Sequence, residues 1–179
     1  ADFFRRELLI ALHILSEGHI DNASFKGEWA GASGQPQFLP SSWQKYAVDY
    51  DGNGKRDIWK NYDDAFASIA NYLKQNGWQA GVPWGLEITL PSNFDNSLIN
   101  SKKTMSVADW LRLGVRLTYG TVLPNTELQA YVIQPDGGPT FLVFKNFKVV
   151  LTYNNSNYYA ASVGYLADQI CKKTHSPLW

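Results

Sequence analysis

A short acidic segment carries the side chains best suited to binding a metal ion. Oxygen-bearing side chains stand at alternate positions, Asp49, Asp51 and Asn53, and Gly54 follows where an EF-hand loop needs glycine for its sharp turn. Lys55 would then offer its backbone carbonyl. Calcium prefers such hard oxygen ligands, so the spacing is compatible with a structural calcium site.

The same segment departs from an ordinary EF-hand at its end. The twelfth position is Lys60 rather than a glutamate that binds through two oxygens. Asp63 or Asp64, at the start of the next predicted helix, would have to close a longer loop instead. The alternative is an Asp-Gly turn with solvated charges, and the residues alone leave both interpretations open.

Residues 26–42 combine small residues with a polar amide. The small residues allow close backbone approach, and Gln37 offers a donor and an acceptor suited to sugar hydroxyl and N-acetyl groups. Trp29 and Phe38 can pack beneath it, and Pro40 favours the start of a helix. The alternative is a tight helix–helix corner in which Gln37 satisfies backbone groups.

The composition excludes several classes of protein. Lys+Arg 16 and Asp+Glu 16 give a net charge of +0, which argues against a nucleic-acid-binding protein. Cys171 is the only cysteine, so neither an intramolecular disulfide nor a cysteine-based metal site can form. No apolar run approaches the ~20 residues that span a bilayer.

Hydrophobic periodicity predicts a mixed α+β chain. Glu7 and Glu17 are interpreted as solvent-facing helix residues. Helices are predicted over residues 3–17, from Pro40, from Asp63 or Asp64 to Gly77, over 106–115 and over 158–172; strands are predicted over 86–90, 128–133, 140–145 and 148–153. The residues predicted to face inward are Phe4, Leu8, Leu12 and Leu15 in the first helix, Phe66, Ile69, Ala70 and Leu73 in the third, and Val163, Leu166, Ala167 and Ile170 in the last.

Taken together, these segments resemble the lytic murein transglycosylase B family. The resemblance covers nearly the whole chain and is tightest over residues 25–78 and 141–168. Residues 153–160 resemble the family's Tyr-Asn-x-Ser-x-x-Tyr-Ala motif. The other matching segments, in order, are Trp29 to Ser42, Tyr46 to Asp49, the acidic loop, Trp59, Ser68 to Leu73, Gly77-Trp78 and Leu166 to Asp168.

The resemblance implies an α+β, mainly helical fold, with a lysozyme-like core, a small β-containing lobe and an EF-hand-like calcium loop. Residues 1–90 would form part of the core with the calcium loop, residues 91–145 the small α/β lobe, and residues 146–179 a return to the core with the final helix. No organic cofactor is implied. The implied ligands of a structural Ca²⁺ are Asp49, Asp51, Asn53, the Lys55 carbonyl and Asp64.

The implied activity is non-hydrolytic cleavage of peptidoglycan between N-acetylmuramic acid and N-acetylglucosamine, which leaves a 1,6-anhydro end. The protein would act as a monomer on glycan strands in the bacterial periplasm or at the periplasmic face of the outer membrane, with anchoring possible through upstream sequence. The implied substrate-binding residues are Glu28, Gln37, Tyr72, Tyr153, Asn154 and Tyr159. From the residues alone, Tyr72 could instead be a helix core residue and Tyr153 a strand end.

Two features depart from the family pattern. Glu28 stands where the family usually has a small residue near the catalytic carboxylate. The family's catalytic glutamate belongs to a Glu-Ser/Thr-x-Phe/Trp-Gly motif, which this sequence lacks. We therefore expect the catalytic acid in upstream sequence, none in this chain, and weak glycan binding without cleavage by the chain itself.

Three other functions fit part of the pattern. One is a non-catalytic, calcium-stabilised peptidoglycan-binding module. Another is an EF-hand-like calcium regulator with a helix groove for a protein partner. The third is an inverting lysozyme-type hydrolase, which would add water where a transglycosylase leaves anhydro ends.

Overall fold

The computed structural model describes residues 2–118 and 126–174, with side chains as far as Cys171. It divides into two compact units, with the boundary between Gln75 and Asn76. The sequence predicted a first boundary after residue 90 and a second after residue 145. The observed boundary comes earlier because the strand at residues 85–89 pairs with the strand at residues 140–143, so both belong to one sheet.

The first unit contains three helices joined by long loops. They are α1 (Asp2–Ser16), α2 (Pro40–Tyr46) and α3 (Tyr62–Gln75), which confirms the predicted helices. Gly18 follows α1 with φ 75°, and Pro40 lies in the first turn of α2. Asn61 precedes α3, and its side-chain oxygen accepts the Asp63 N–H at 3.0 Å.

The predicted inward faces of α1 and α3 are largely wrong. Phe4, Leu8 and Leu12 are each more than half exposed, and so is Phe66. The fully buried residues are Glu7 and Ile14 in α1, and Asp64, Ala65 and Ser68 in α3. Hydrophobic periodicity predicted an apolar inner stripe on each helix. The buried face instead contains polar side chains that accept backbone N–H groups from other segments of the unit.

Over its described residues, the second unit is built on a five-stranded antiparallel sheet, whose strands lie side by side in the order 105–106, 129–133, 140–143, 85–89 and 116–117. A 3₁₀ turn at Asn96–Leu98 and helix α4 (Val107–Arg112), capped by Ser106, lie between strands. The strands are β1 (Gly85–Thr89), β2 (Met105–Ser106), β3 (Arg116–Leu117), β4 (Gln129–Ile133) and β5 (Thr140–Val143). The strands predicted at 86–90, 128–133 and 140–145 are therefore confirmed.

Alternation along the strands builds an apolar cluster on each face of this sheet. In β4, Ala130 and Val132 join one cluster, while Tyr131 and Ile133 join the other. The period of two places successive side chains on opposite faces. The sheet is thus buried on both sides.

The strand predicted at residues 148–153 is wrong: Lys145–Tyr153 forms helix α5. Phe147 and Val150, spaced as on one helix face, pack in the cluster that contains Tyr131. The β-branched residues favoured a strand locally, but packing of this face overrides that preference. Helix α6 (Asn157–Thr174) follows and confirms the last predicted helix.

The predicted inward face of α6 is also wrong. Val163, Leu166 and Ile170 are exposed, whereas Ala160 and Ala161 are buried. The reason is that α6 packs closely on the Trp84 ring: a Cβ on Gly164 would lie 2.3 Å from Cδ2 of Trp84. Small residues therefore form the inner face. Within the residues described, no helix has both the length and the apolar character needed to cross a membrane.

Candidate functional site

Three carboxylates of the first unit converge on one point. Oxygens of Asp49, Asp51 and Asp64 lie within 4.8 Å of one another. Asp64 is 0% exposed whereas Asp51 is exposed, so the cluster has a buried and an exposed side. Three negative charges this close repel one another, and a bound cation relieves that repulsion. The donor set fits a hard divalent ion.

Backbone N–H groups shape the loop around Asp49. Its Oδ1 accepts the Gly52 N–H at 2.9 Å, and its Oδ2 accepts the Gly54 N–H at 2.9 Å. Gly54 has φ 85°, a conformation that favours glycine. Asn53 lies in the same loop, where its Oδ1 accepts the Lys55 N–H at 2.8 Å.

Asp64 ties this loop to α3. Its Oδ1 accepts the Tyr50 N–H and its Oδ2 accepts the Asp57 N–H, both at 2.8 Å. Asp63 is exposed and takes no part in the cluster. Of the two acids that the sequence left open, Asp64 is the one that lies beside Asp49.

A histidine anchors the end of the acidic loop. His19 Nδ1 accepts the Arg56 N–H at 3.1 Å, and its ring packs on Trp43 at 4.7 Å between centroids. Burial lowers the pKa of His19, and the nearby Arg56 charge lowers it further. A neutral ring keeps Nδ1 available as an acceptor.

Gln37 lies at the end of a tightly bonded loop. Ser33 and Phe38 exchange backbone hydrogen bonds of 2.9 and 3.0 Å, and Gln37 Nε2 donates to the Gly34 carbonyl at 2.9 Å. Gln37 has φ 52° and its side chain is exposed. A cavity of about 630 Å³ beside it is also lined by Lys26, Gln35, Trp59 and Lys60.

Tyr72 supports this loop from below. Its ring is half-buried and packs on Phe38 at 5.8 Å and on Tyr46 at 4.6 Å between centroids. Phe38 follows Gln37 directly. The structure thus brings Tyr72 and the Gln37 loop together, and the ring contributes to the packing of the unit as well.

Glu28 is used within its own turn. Its Oε1 accepts the Ala30 N–H at 3.1 Å and the Ala32 N–H at 3.3 Å. The side chain is exposed and lines a cavity of about 290 Å³ with Glu7 and Trp29. Glu28 therefore fixes the turn that precedes the Gln37 loop.

The sequence analysis missed Glu7. The prediction that it faces solvent is wrong, since it is 4% exposed and its Oε2 accepts the Ser41 N–H at 2.9 Å. A signal did exist: Glu7 lies seven positions before Ile14, the other buried residue of α1, so both share a helix face.

Tyr153, Asn154 and Tyr159 belong to the second unit. Tyr153 is the last residue of α5, not a strand end, and the Asn154 N–H donates to the Val150 carbonyl at 3.3 Å. Ser156 caps α6 by accepting the Tyr159 N–H at 3.2 Å. The two tyrosines are half-buried on either side of this short connection.

Comparison with known proteins gives consistent matches. Residues 1–168 match the family model described as Transglycosylase SLT domain. Membrane-bound lytic murein transglycosylase B of Escherichia coli K12 is 33% identical over 178 residues, which cover 95% of this chain and 46% of that protein.

Solved structures of lytic transglycosylases are also similar to this chain. SltB3 from Pseudomonas aeruginosa in complex with NAG-NAM-pentapeptide is 48% identical with a TM-score of 0.87, covering 94% of this chain and 46% of that chain. The Escherichia coli lytic transglycosylase Slt35 in complex with calcium is 30% identical with a TM-score of 0.77, covering 97% and 55%. The chain thus spans about half the length of these relatives. The expected lysozyme-like lytic transglycosylase fold of helices and a sheet is confirmed.

Proposed function

This chain belongs to the Transglycosylase SLT domain family, and from that premise we propose that it is part of a peptidoglycan lytic transglycosylase. The observation that carries the proposal is the exposed Gln37 amide, held on a loop that Phe38 and Tyr72 support from below. An amide of this kind can bond sugar hydroxyl and N-acetyl groups. SltB3, a relative, is known in complex with NAG-NAM-pentapeptide, which supports peptidoglycan as the ligand.

The other groups proposed to contact glycan are Glu28, Tyr153, Asn154 and Tyr159. Tyrosine suits this role because its ring stacks on a sugar face while its hydroxyl bonds to it. Asn154 offers an amide like that of Gln37. Glu28, already bonded to its own turn, would act mainly by shaping the wall beside the sugar.

The proposed reaction breaks the bond between N-acetylmuramic acid and N-acetylglucosamine without water. A single carboxylic acid protonates the glycosidic oxygen. The resulting carboxylate then accepts the proton of the C6 hydroxyl as the C6 oxygen closes the 1,6-anhydro ring. One carboxylate suffices because the substrate replaces the second carboxylate of ordinary glycosidases. We assign this acid to a segment outside these 179 residues, since no glutamate here stands in the family's catalytic motif.

We propose calcium as a structural ion at the acidic cluster. Asp49, Asp51 and Asp64 would bind it with Asn53 and the Lys55 carbonyl, and the ion would stabilise the loop against α3. The relative Slt35 in complex with calcium supports this choice of ion. It would take no part in the chemistry.

We place the protein in the periplasm or at the periplasmic face of the outer membrane, acting as a monomer on glycan strands, because peptidoglycan is there. A non-catalytic glycan-binding module is the second candidate, because the exposed Gln37 amide would serve binding equally well without a catalytic acid.

Binding of NAG-NAM-pentapeptide to the purified chain tests the proposal. Gln37→Ala should weaken binding about tenfold, since it removes a hydrogen-bonding group from the site. Gln44→Ala is the matched control, because Gln44 is an exposed glutamine of α2 outside the lining of the cavity beside Gln37. Equal affinity of the wild type and Gln37→Ala would refute the role of Gln37.

Mass spectrometry of murein treated with a longer version that includes the upstream segment separates the reactions. Anhydro ends support the transglycosylase, and ends with one added water indicate a hydrolase. Intact murein indicates the binding module.

A further inference from the structure

The buried carboxylate of Glu7 links α1 to the segment that follows Gln37. Its Oε2 accepts the Ser41 N–H at 2.9 Å, and Ser41 lies in the first turn of α2. Only three residues separate Gln37 from Ser41. The bond therefore fixes the end of the Gln37 loop.

A packing role alone does not explain an acid at this position. Glu7 is 4% exposed, and among the described residues its Oε1 has no hydrogen-bond partner; its ion pair with Arg6 is long, at 3.8 Å. Burying a carboxylate with an unsatisfied oxygen is unfavourable, and an apolar residue such as Ile14 on the same face avoids that loss. The contact to Ser41 is what the acid supplies and an apolar residue does not.

Glu7 also lies against the beginning of the loop. It lines the 290 Å³ cavity together with Gly27, Glu28 and Pro40, so α1 faces both ends of the segment that carries Gln37. Inside the loop, Ser33 and Phe38 are bonded to each other. A shift at Ser41 is therefore transmitted to Phe38 and to Gln37 beside it.

We propose that Glu7 is a positioning residue for Gln37: it holds the amide where a glycan meets it, through Ser41 and the loop. This inference rests on the proposed glycan-binding function. Glu7 itself does not touch the sugar.

Affinity for NAG-NAM-pentapeptide separates this role from a purely structural one. Glu7→Met fills the space without an acceptor and should weaken binding about tenfold, while Glu7→Gln, which keeps an oxygen for Ser41, should stay within about twofold. Adding Glu7→Met to Gln37→Ala should cause no further loss, because both act on one contact. Additive losses, or unchanged affinity in Glu7→Met, would overturn the proposal.

The amide resonances of Gln37 give a readout that needs no ligand. They should shift in Glu7→Met and stay in place in Glu7→Gln and in the control Glu17→Ala. Glu7→Ala serves as the second variant should Glu7→Met not fold. If the wild type binds no glycan, the proposed function fails, yet these shifts still decide whether Glu7 positions Gln37; unmoved resonances overturn it.

Discussion

The two units use different interactions to fix their loops and helices. In the first, buried polar side chains accept backbone N–H groups from loops and from the first turn of α2. Ser68 accepts from Val48, Asp64 from Tyr50 and Asp57, and Glu7 from Ser41. In the second, two apolar clusters cover the faces of a sheet. The first unit keeps long loops in defined conformations by a few directional bonds. The second depends mainly on close packing, although the buried Asn146 also holds the loop at Gln79 and Val82 by hydrogen bonds.

This difference predicts different weaknesses. Loss of one acceptor should disturb a whole loop of the first unit, because buried N–H groups are then left unpaired. In the second unit, a change in the volume of a buried side chain should lower the stability most. The following changes test this contrast from the largest expected effect to the smallest.

Asp64→Ala should destabilise the first unit by about 3–5 kcal/mol, since it removes two hydrogen bonds to a buried carboxylate. Urea unfolding, with hydrogen exchange to assign the effect to each unit, measures the change. The control Asp63→Ala alters an exposed neighbour and should stay within about 0.5 kcal/mol. Equal effects of the two variants would contradict the assignment of Asp64 as the structural acid.

Removal of calcium should also act on the first unit alone. A chelator should lower its stability by up to ~2.7 kcal/mol relative to calcium at a hundredfold its Kd. Melting curves with and without chelator check this, and Asp51→Asn should respond less than the wild type. An unchanged wild-type curve would remove the calcium proposal.

Gly164→Ala should affect the second unit. The added Cβ would meet the Trp84 ring at 2.3 Å, and overpacking of this kind costs about 1–3 kcal/mol. Ser162→Ala, at an exposed position of the same helix, is the control. Trp84 and β4 amides should exchange faster in Gly164→Ala while Tyr50 and Asp57 amides do not; the reverse pattern would break the contrast between the units.

The smallest effect is expected at Asp21. A hydrogen bond from Ser24 and the Lys60 ammonium lower the pKa of Asp21 from 3.8 to about 2. Because the folded pKa is depressed, this stabilisation is present above pH 3.8 and is lost as the pH falls towards 2. An NMR titration of the carboxyl group measures the pKa, and a midpoint near 3.8 would contradict the Ser24 and Lys60 contacts.

The sequence sufficed for features that depend on nearby residues. The bounds of α1 and α3 and the strands β4 and β5 follow from local periodicity and turns. It failed for α5, where Val149 and Val150 suggest a strand, whereas Phe147 and Val150 pack as one helix face in the cluster that contains Tyr131. The buried sides of α1, α3 and α6 depend on partners distant in sequence.

The candidate site shows the same limit. The spacing of Asp49, Asp51 and Asn53 can be recognised in the sequence. Only the folded loop shows that Asp64, rather than Asp63, lies beside these residues. The spacing of Glu7 and Ile14 indicates a shared helix face, but the Ser41 N–H that Glu7 accepts lies 34 positions away, so the sequence does not reveal that contact. Resemblance to a family supplied Gln37, and the structure supplied the contacts that hold it.

At Gln37, the left-handed backbone conformation lowers stability, while the side chain serves the proposed glycan binding. A side chain other than glycine at φ 52° is strained by roughly 1–2 kcal/mol. Gln37→Gly should thus raise the melting temperature while it weakens glycan binding about tenfold, as Gln37→Ala does. Selection for stability alone would favour glycine at this position, so a retained glutamine would reflect the proposed role of the amide in glycan binding.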